Sequence, residues 1–249
     1  MTPNPSRVSV IIPVKDDAGV LDLCLQLLAL QSTPPLEVIV VDDGSSDGSG
    51  AVATRHGARV IPSRGTGIAT ARATGFDAAT GDLLATLDAD CRPPTDWIEG
   101  ITDGLRDPSI AAVTGGARFH DGPRPLRAVA AAVYLGSFFL WVTLALGHPP
   151  VFGSNYAMRA SAWRAIRGDV HLDDKLLHDD MDVSFHLGPD QRIRYSRGLQ
   201  MSISMRPLFD ARSFVLRMRR GFHTVFLHWP SELPWSRWVR STRLGRRIA

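Results

Sequence analysis

Two acids directly follow an apolar run in the N-terminal half of the chain. The run from Leu83 to Leu87 leads into Asp88 and Asp90. Hard divalent cations such as Mg²⁺ and Mn²⁺ prefer oxygen ligands, and they often bind through one or two carboxylates together with substrate phosphates. The pair therefore predicts a metal and diphosphate site, although a solvated turn is the commoner explanation of an Asp-x-Asp motif taken alone.

A second acidic pair, Asp42 and Asp43, follows the apolar run from Glu37 to Val41. Asp, Ser and Gly favour turns, and Ser46 or Asp47 would cap the next helix. Capping leaves two adjacent acids at the end of a strand unexplained, and ligands often bind at such strand ends. A turn and a contact to the ribose or base of a nucleotide both remain open for Asp43.

Glycines at 65 and 67 precede a helical stretch that carries Arg72. Phosphate can bind both to a helix N-terminus and to a guanidinium, and a surface salt bridge is the alternative for Arg72. The spacing matches neither GxGxxG nor the P-loop. Dinucleotide dehydrogenases and P-loop NTPases are therefore disfavoured.

A third acidic cluster, Asp179, Asp180 and Asp182, lies far along the chain. Like charges held close together raise at least one pKa, which suits a general base. Three exposed acids in the first turn of a helix, stabilised by the helix dipole, are the alternative.

The first 120 residues alternate short apolar runs with helical stretches, a pattern typical of βαβ units and a mostly parallel sheet. Ligands bind beyond the carboxyl ends of such strands, where the first two acidic pairs lie. Strands are predicted at Val8 to Pro13, Glu37 to Val41, Ala58 to Ile61, Leu83 to Leu87 and Ile110 to Gly115. Helices are predicted at Gly19 to Gln31, Asp47 to Arg55, Gly67 to Ala79 and Thr95 to Leu105.

Beyond Phe119 this rhythm stops, and no charge occurs from Ala128 to Leu146. The stretch is at the lower limit for a transmembrane helix. A single crossing would put Asp88 and Asp180 on opposite sides of the membrane, so we expect a buried, dimer-forming or interface-lying helix. A helix at Ala160 to Arg167, a short β unit around Arg192 to Met205 and a basic helix from Ala211 to about Leu227 follow.

Composition indicates a folded protein of enzyme size, with 44% hydrophobic and 21% charged residues in 249. The two cysteines lack CxxC spacing, and the first six residues lack a signal-peptide layout, so we expect a cytoplasmic location. Nine arginines lie between residues 212 and 247 against one acid, and three tryptophans are interleaved with them. This basic end is suited to anionic lipid headgroups, or else it is a solvated face.

Six segments, in order from about residue 7 to residue 188, resemble the inverting glycosyltransferases of family 2. They are Val10-Ile11-Ile12-Pro13, Val40-Val41-Asp42-Asp43-Gly44-Ser45, Ala71-Arg72-Ala73-Thr74-Gly75 with Ala79-Thr80-Gly81-Asp82, Leu87-Asp88-Ala89-Asp90, Gly153-Ser154-Asn155-Tyr156-Ala157-Met158-Arg159 and Asp179-Asp180-Met181-Asp182.

The resemblance implies a GT-A fold, an α/β fold with a Rossmann-like, mostly parallel sheet flanked by helices. It implies a nucleotide-sugar half at 1–120 and an acceptor half at 121–210, with 211–249 as a basic helix and tail. The implied reaction moves one sugar from a nucleotide diphosphate-sugar to an acceptor hydroxyl with inversion, using Mg²⁺ or Mn²⁺.

The resemblance also implies the roles of individual residues. Asp90 would be the principal metal ligand with Asp88 beside it, and Asp180 would be the catalytic base. Asp179 stands where the family usually has Glu. The residues implied to line the nucleotide pocket are Pro13, Asp43 and Arg72, and those implied on the acceptor side are Gly153, Ser154, Asn155 and Asp179.

The Gln-x-x-Arg-Trp signature of processive polymer synthases is missing, and residues 219–222 stand at that distance, so single-sugar transfer is expected. An NDP-sugar nucleotidyltransferase and a non-catalytic nucleotide-sugar binder are the alternatives. The expected partners are a lipid-linked acceptor, the inner face of the cell membrane as a peripheral contact, and a second copy of the chain. Nucleic acid is disfavoured because no recognised nucleic-acid module is present.

Overall fold

The computed structural model describes residues 7–63, 67–188, 191–209, 211–229 and 231–248, and a seven-stranded sheet forms their centre. The strands are β1 (Val8–Val14), β2 (Glu37–Asp42), β3 (Arg59–Pro62), β4 (Leu83–Thr86), β5 (Ile110–Phe119), β6 (Tyr156–Arg159) and β7 (Arg192–Ile203). Their order is β3-β2-β1-β4-β6-β5-β7. All six strands predicted from the sequence are present, and β6 is an addition.

Helices cover both faces of this sheet. They are α1 (Ala18–Ala29), α2 (Ser49–Arg55), α3 (Ile68–Ala78), α4 (Trp97–Gly104), α5 (Arg124–Leu146), α6 (Ala160–Ile166), α7 (Asp179–Leu187), α8 (Arg206–Phe209), α9 (Ala211–His228) and α10 (Pro234–Ile248). The predicted helices are confirmed within a few residues. The region predicted as a tail contains α10.

The sheet is mostly parallel, as predicted. Strand β1 pairs in parallel with β2 and β4, and β7 pairs in parallel with β5. Strand β6 runs antiparallel to both of its neighbours, β4 and β5. Every residue of β1 is buried, and this central strand of a covered sheet is apolar except for Ser9.

A glycine lets α3 lie close to the sheet. A Cβ added at Gly75 would be 2.4 Å from Ile11 Cγ2 and 3.0 Å from Val41 Cγ2. Helix α3 also carries Arg72. Because residue 75 has no side chain, α3 lies close enough to the sheet for this arginine to be placed beneath the strand ends.

Helix α5 has 23 residues and is long and apolar enough to cross a membrane, which for one helix is a weak indication. Its flanking strands, β5 and β6, pair with each other in one sheet. A crossing by α5 alone would separate them, so the helix lies along the fold. Only Leu135, Val142 and Leu146 of α5 are buried, so the prediction of a buried core helix is wrong.

Helix α10 is fastened to the end of α5 by Arg237, which is fully buried. Its Nε donates to the carbonyl of Leu146 at 2.8 Å, and its Nη1 pairs with Glu232 at 2.7 Å. A buried charge is tolerated only when it is paired and hydrogen-bonded. The guanidinium therefore holds the C-terminal helix against α5.

Replacing Gly75 by Ala is expected to lower the free energy of unfolding by about 1–3 kcal/mol, as overpacking does. The matched control is Gly19→Ala in α1, where nothing lies within 4 Å of an added Cβ. There the better helix propensity of Ala should stabilise the protein by up to about 1 kcal/mol. Urea unfolding measures both changes, and a similar effect at the two positions would contradict the close approach of α3.

Candidate functional site

A cavity of about 770 Å³ opens beyond the carboxyl ends of β1, β2 and β4. Four residues predicted from the sequence line it, namely Pro13, Asp43, Asp88 and Asp90. Basic and acidic side chains line it in equal numbers. The basic ones are Lys15, Lys175, Arg206, Arg217 and Arg220, and the acidic ones are Asp17, Asp43, Asp88, Asp90 and Asp174.

Of the two acids after β2, Asp42 belongs to a turn and Asp43 lines the cavity. Asp42 Oδ1 accepts a hydrogen bond from the backbone N–H of Ser45 at 2.8 Å, as in a turn. Asp43 is buried at the cavity wall, where its Oδ2 accepts from the N–H of Gly67 at 3.0 Å. The carboxylate of Asp43 thus fixes the start of α3 beside the cavity. Residues 64–66, part of the predicted phosphate contact, lie outside the described residues.

Asp47 holds the first two loops together. Its Oδ2 accepts from the N–H of Ala18 at 2.8 Å, and its Oδ1 accepts from the N–H of Ser49 at 3.0 Å. The hydrogen bond from Ala18, followed by that from Ser49, lowers the pKa of Asp47. Asp47 is not itself the N-cap of α2, which is Gly48, but its carboxylate accepts from the first N–H of both α1 and α2.

Asp88 and Asp90 form the part of the cavity that fits a cation. Oxygens of these two carboxylates and the sulfur of Cys91 lie within 4.8 Å of one another. Burial raises the pKa of Asp90, and the neighbouring charge of Asp88 raises it further. Arg206 Nη2 lies 3.3 Å from Asp90 Oδ2 and compensates part of this charge. Two desolvated acids at the end of a strand suit a hard divalent ion, which relieves their repulsion.

Arg72 is buried, with 3% of its surface exposed, and does not line this cavity. Its Nη2 donates to Asp88 Oδ1 at 2.9 Å, and its Nη1 donates to Asp179 Oδ2. The alternative prediction that this arginine forms a surface salt bridge is therefore wrong. Instead of contacting the cavity directly, Arg72 joins Asp88 to the acidic cluster of α7.

Residues Gly153 and Ser154 connect the same groups from the other side. Ser154 Oγ donates to Asp88 Oδ2 at 2.5 Å, and the N–H of Gly153 donates to Asp180 Oδ2 at 2.8 Å. A Cβ at Gly153 would lie 3.1 Å from that Asp180 oxygen. The segment before β6 therefore needs glycine to reach Asp180 closely.

Asp180 and Asp182 are buried, with 4% and 2% of their surfaces exposed, which rules out three exposed acids on a solvated turn. Burial raises the pKa of Asp180, but the charge of the neighbouring His178, whose Nδ1 lies 2.5 Å from Oδ1, helps to outweigh it and the pKa is lowered overall. The pKa of Asp182 is also lowered, since hydrogen bonds from three histidines outweigh burial. The predicted rise in pKa is therefore wrong for both carboxyls.

Asn155, expected on the acceptor side, is fully buried away from the cavity. Its Oδ1 accepts from Trp97 Nε1 at 2.9 Å, and its Nδ2 donates to the carbonyls of Gly116 and Leu199, each at 2.9 Å. Asn155 thus ties α4 to the edge of β5 and to β7. Its contacts are structural.

Sequence reasoning missed the basic lining of the cavity. Arg217 and Arg220 come from α9, inside the arginine-rich region that was considered only for lipid or solvent. Arg206 contacts both Asp17 and Asp90, each at 3.3–3.4 Å. The spacing of the arginines along α9 does not predict that they line this cavity, because the approach of α9 to the strand ends depends on tertiary packing.

Residues 9–166 match the family model described as glycosyl transferase family 2. The chain is 34% identical over 127 residues to Glycosyltransferase AglE of Haloferax volcanii, covering 48% of this chain and 42% of that protein. It is 40% identical over 102 residues to an undecaprenyl-phosphate 4-deoxy-4-formamido-L-arabinose transferase of Serratia proteamaculans, covering 37% and 31%. The chain spans less than half the length of these curated relatives.

Solved structures share the fold. A mannosyltransferase of Pyrobaculum calidifontis, in complex with GDP-Man and Mn²⁺, has a TM-score of 0.70 at 20% identity, covering 99% of this chain and 71% of that one. A glucosyl-3-phosphoglycerate synthase of Mycobacterium tuberculosis, in complex with Mn²⁺ and UDP, has a TM-score of 0.60 at 20% identity, covering 89% and 79%. The predicted GT-A fold is confirmed.

Replacing Asp90 and replacing Asp88 by Asn are predicted to have opposite effects on the stability of the metal-free protein. Asp90→Asn should raise the melting temperature at pH 7, because the raised pKa means that the folded state disfavours the charged form. This gain should shrink as the pH falls below the raised pKa toward the ordinary value, where wild-type Asp90 is itself protonated.

Asp88→Asn is the matched comparison. It removes one charged partner of buried Arg72, so it should lower the free energy of unfolding by about 1–3 kcal/mol. Thermal unfolding in EDTA between pH 4 and pH 8 measures both variants. A destabilising effect of Asp90→Asn at pH 7 would contradict the raised pKa.

Proposed function

Because the chain belongs to glycosyl transferase family 2, we propose that it transfers a single sugar from a nucleotide diphosphate-sugar to an acceptor hydroxyl, with inversion. One observation carries the proposal. Asp88 and Asp90 line a cavity large enough for a nucleotide-sugar, and Arg72 and Ser154 connect them to the acids of α7.

The donor half of the site is built to hold a diphosphate. Asp90, with Asp88 beside it, would hold Mg²⁺ or Mn²⁺, which when bound neutralises charge on the departing diphosphate. Lys15, Arg206 and Arg220 surround the same space and add positive charge. Pro13 and Asp43 at the ends of β1 and β2 would contact the nucleoside. The Mn²⁺ and nucleotide complexes of proteins with this fold support this assignment.

Asp180 is the proposed base. Its lowered pKa keeps the carboxylate ionised at neutral pH, so it can accept a proton, but makes it a weaker base than the raised pKa expected from the sequence. In a single displacement, the acceptor oxygen bonds to the anomeric carbon, Asp180 takes the hydroxyl proton, and the bond to the diphosphate breaks. One displacement inverts the anomeric centre. The backbone N–H of Gly153 and the ring of His178 orient the carboxylate.

The proposed acceptor is lipid-linked. The curated relatives named undecaprenyl-phosphate transferases support a lipid phosphate, and the surface supports a membrane contact. Helices α5, α9 and α10 expose large apolar side chains. They include Val133, Leu140 and Trp141 of α5, Phe222 and Phe226 of α9, and Trp235 and Trp238 of α10.

Among the described side chains of α9 and α10, Arg219 is exposed and would contact an anionic headgroup, contributing about 1 kcal/mol near such a membrane. The protein would then act as a peripheral enzyme at the inner face of the cell membrane. A homodimer that covers α5 is the competing arrangement.

Asp90→Asn and Asp180→Asn are each expected to reduce sugar transfer by about 10²-fold or more, since each removes a group that acts in the transition state. Release of nucleoside diphosphate from a panel of NDP-sugars, with Mg²⁺ or Mn²⁺ and a polyprenyl-phosphate acceptor, measures this. Asp103→Asn is the control, because Asp103 is an exposed acid on α4 that pairs with the exposed Arg106. Full activity in either site variant would remove that residue from the mechanism, and donor binding without diphosphate release would favour a non-catalytic binder.

The wild-type protein is expected to float with anionic liposomes at low salt and less so at high salt, because headgroup attraction is screened. Trp141→Ser should weaken flotation, since this side chain is 67% exposed on α5. Leu30→Ser is the matched control, with 64% exposure at the end of α1. Absence of flotation at low salt, or equal losses in the two variants, would contradict the membrane contact.

A further inference from the structure

We infer that His171, Asp182, His186 and His228 form a binding site for one zinc-class metal ion, separate from the Asp88 and Asp90 site. One ligand atom from each of the four residues lies within 4.8 Å of the other three. The residues come from three segments. His171 precedes α7, Asp182 and His186 lie one turn apart on α7, and His228 ends α9.

The distances match the edges of a metal-centred tetrahedron. With metal–ligand bonds of about 2.0–2.1 Å, tetrahedral geometry places ligand atoms about 3.3–3.4 Å apart. Asp182 Oδ1 lies 3.3 Å from His228 Nε2 and 3.4 Å from His186 Nε2. The two Nε2 atoms lie 3.5 Å apart, and His171 Nδ1 lies 2.9 Å from the same carboxylate oxygen. Small shifts would convert this cluster into a coordination shell.

The hydrogen bonds around the cluster prepare it for a metal. His228 Nδ1 lies 2.8 Å from the carbonyl oxygen of Thr224, which can only accept, so Nδ1 carries the proton. Nε2 is then the nitrogen next to Asp182, and a metal ion would replace the proton that Nε2 shares with this carboxylate. Metal-bound histidines commonly donate their other N–H to a carbonyl in this way. Asp182 Oδ2 is held separately by the backbone N–H of His171 at 2.8 Å, which leaves Oδ1 for the ion.

Ligand chemistry selects the ion. Three imidazoles and one carboxylate suit Zn²⁺ and related transition ions, whereas Mg²⁺ and Mn²⁺ prefer sites rich in oxygen. The side chains of Asp182 and His228 are 3% and 6% exposed, while that of His171 is 42% exposed and gives a path of entry. Four protein ligands leave no open position, which is typical of a structural zinc site.

The proposed ion would fix parts of the protein that face the cavity. The segment that follows His171 contributes Leu172, Asp174 and Lys175 to the cavity wall. Helix α7 begins with Asp179 and Asp180, and α9 contributes Arg217 and Arg220. A single ion binding all three segments would stabilise their relative positions without contacting the donor.

The test is metal content of tag-free, full-length protein after chelation, dialysis and titration with ZnCl2. The Asp90→Asn background removes the principal ligand of the other site. We expect one tightly bound Zn²⁺ per chain, a rise in melting temperature on adding Zn²⁺, and the intense visible absorption of tetrahedral Co²⁺ after titration with CoCl2. Mg²⁺ should not compete.

His171→Ala and His228→Gln should each lose most of the bound Zn²⁺ and its effect on melting temperature. His171→Ala alters the most exposed ligand and therefore disturbs the fold least. The matched control is His223→Ala, which lies on α9 with its Nε2 2.6 Å from Asp174 Oδ2 but outside the cluster. It should still bind one Zn²⁺. Failure of the Asp90→Asn protein to bind Zn²⁺ stoichiometrically, or unchanged binding in both ligand variants, would overturn the proposal.

Discussion

The buried guanidinium of Arg72 is the interaction on which the arrangement of the site depends. An unpaired buried cation costs several kcal/mol, so the fold must supply carboxylates on either side of it. Asp88 at the end of β4 and Asp179 at the start of α7 supply them. Two segments that are about ninety residues apart in the chain are thereby brought to one point, where Asp88 at the cavity and Asp179, next to the proposed base, share one buried cation.

This network explains which features the sequence could predict. Pro13, Asp43, Asp88 and Asp90 follow strands whose apolar runs are readable one at a time, and parallel strands place their carboxyl ends together. The position of the cavity acids and the mostly parallel sheet therefore followed from local pattern and order, whereas the GT-A fold was implied by the resemblance to the family. Burial of Arg72 did not, because local sequence cannot show how closely α3 approaches the sheet; that distance depends on Gly75 packing against Ile11.

Other features depend on contacts between distant parts of the chain. Asn155 belongs to a motif that suggested an acceptor role, but the contact with Trp97 places it in the core. The acids of α7 suggested mutual repulsion, yet histidines from α7 itself, the preceding loop and α9 lower their pKa values. Cysteine spacing gave no indication of the proposed zinc site, because none of its four ligands is a cysteine. These ligands span residues 171 to 228, and only the pair on α7 has a recognisable spacing.

The apolar helix α5 shows how topology limits what hydropathy implies. Its length would allow a crossing, but β5 and β6 on either side of it pair in the same sheet. Burial of its final turn is secured by Arg237, whose Nε binds the carbonyl of Leu146, while the outer face remains apolar and exposed. Helix α9 also exposes apolar side chains, Phe222 and Phe226 among them, and contributes Arg217 and Arg220 to the cavity. An acceptor with a lipid tail and a phosphate headgroup would match both chemistries, because the tail would meet apolar side chains while the phosphate lies toward the arginines.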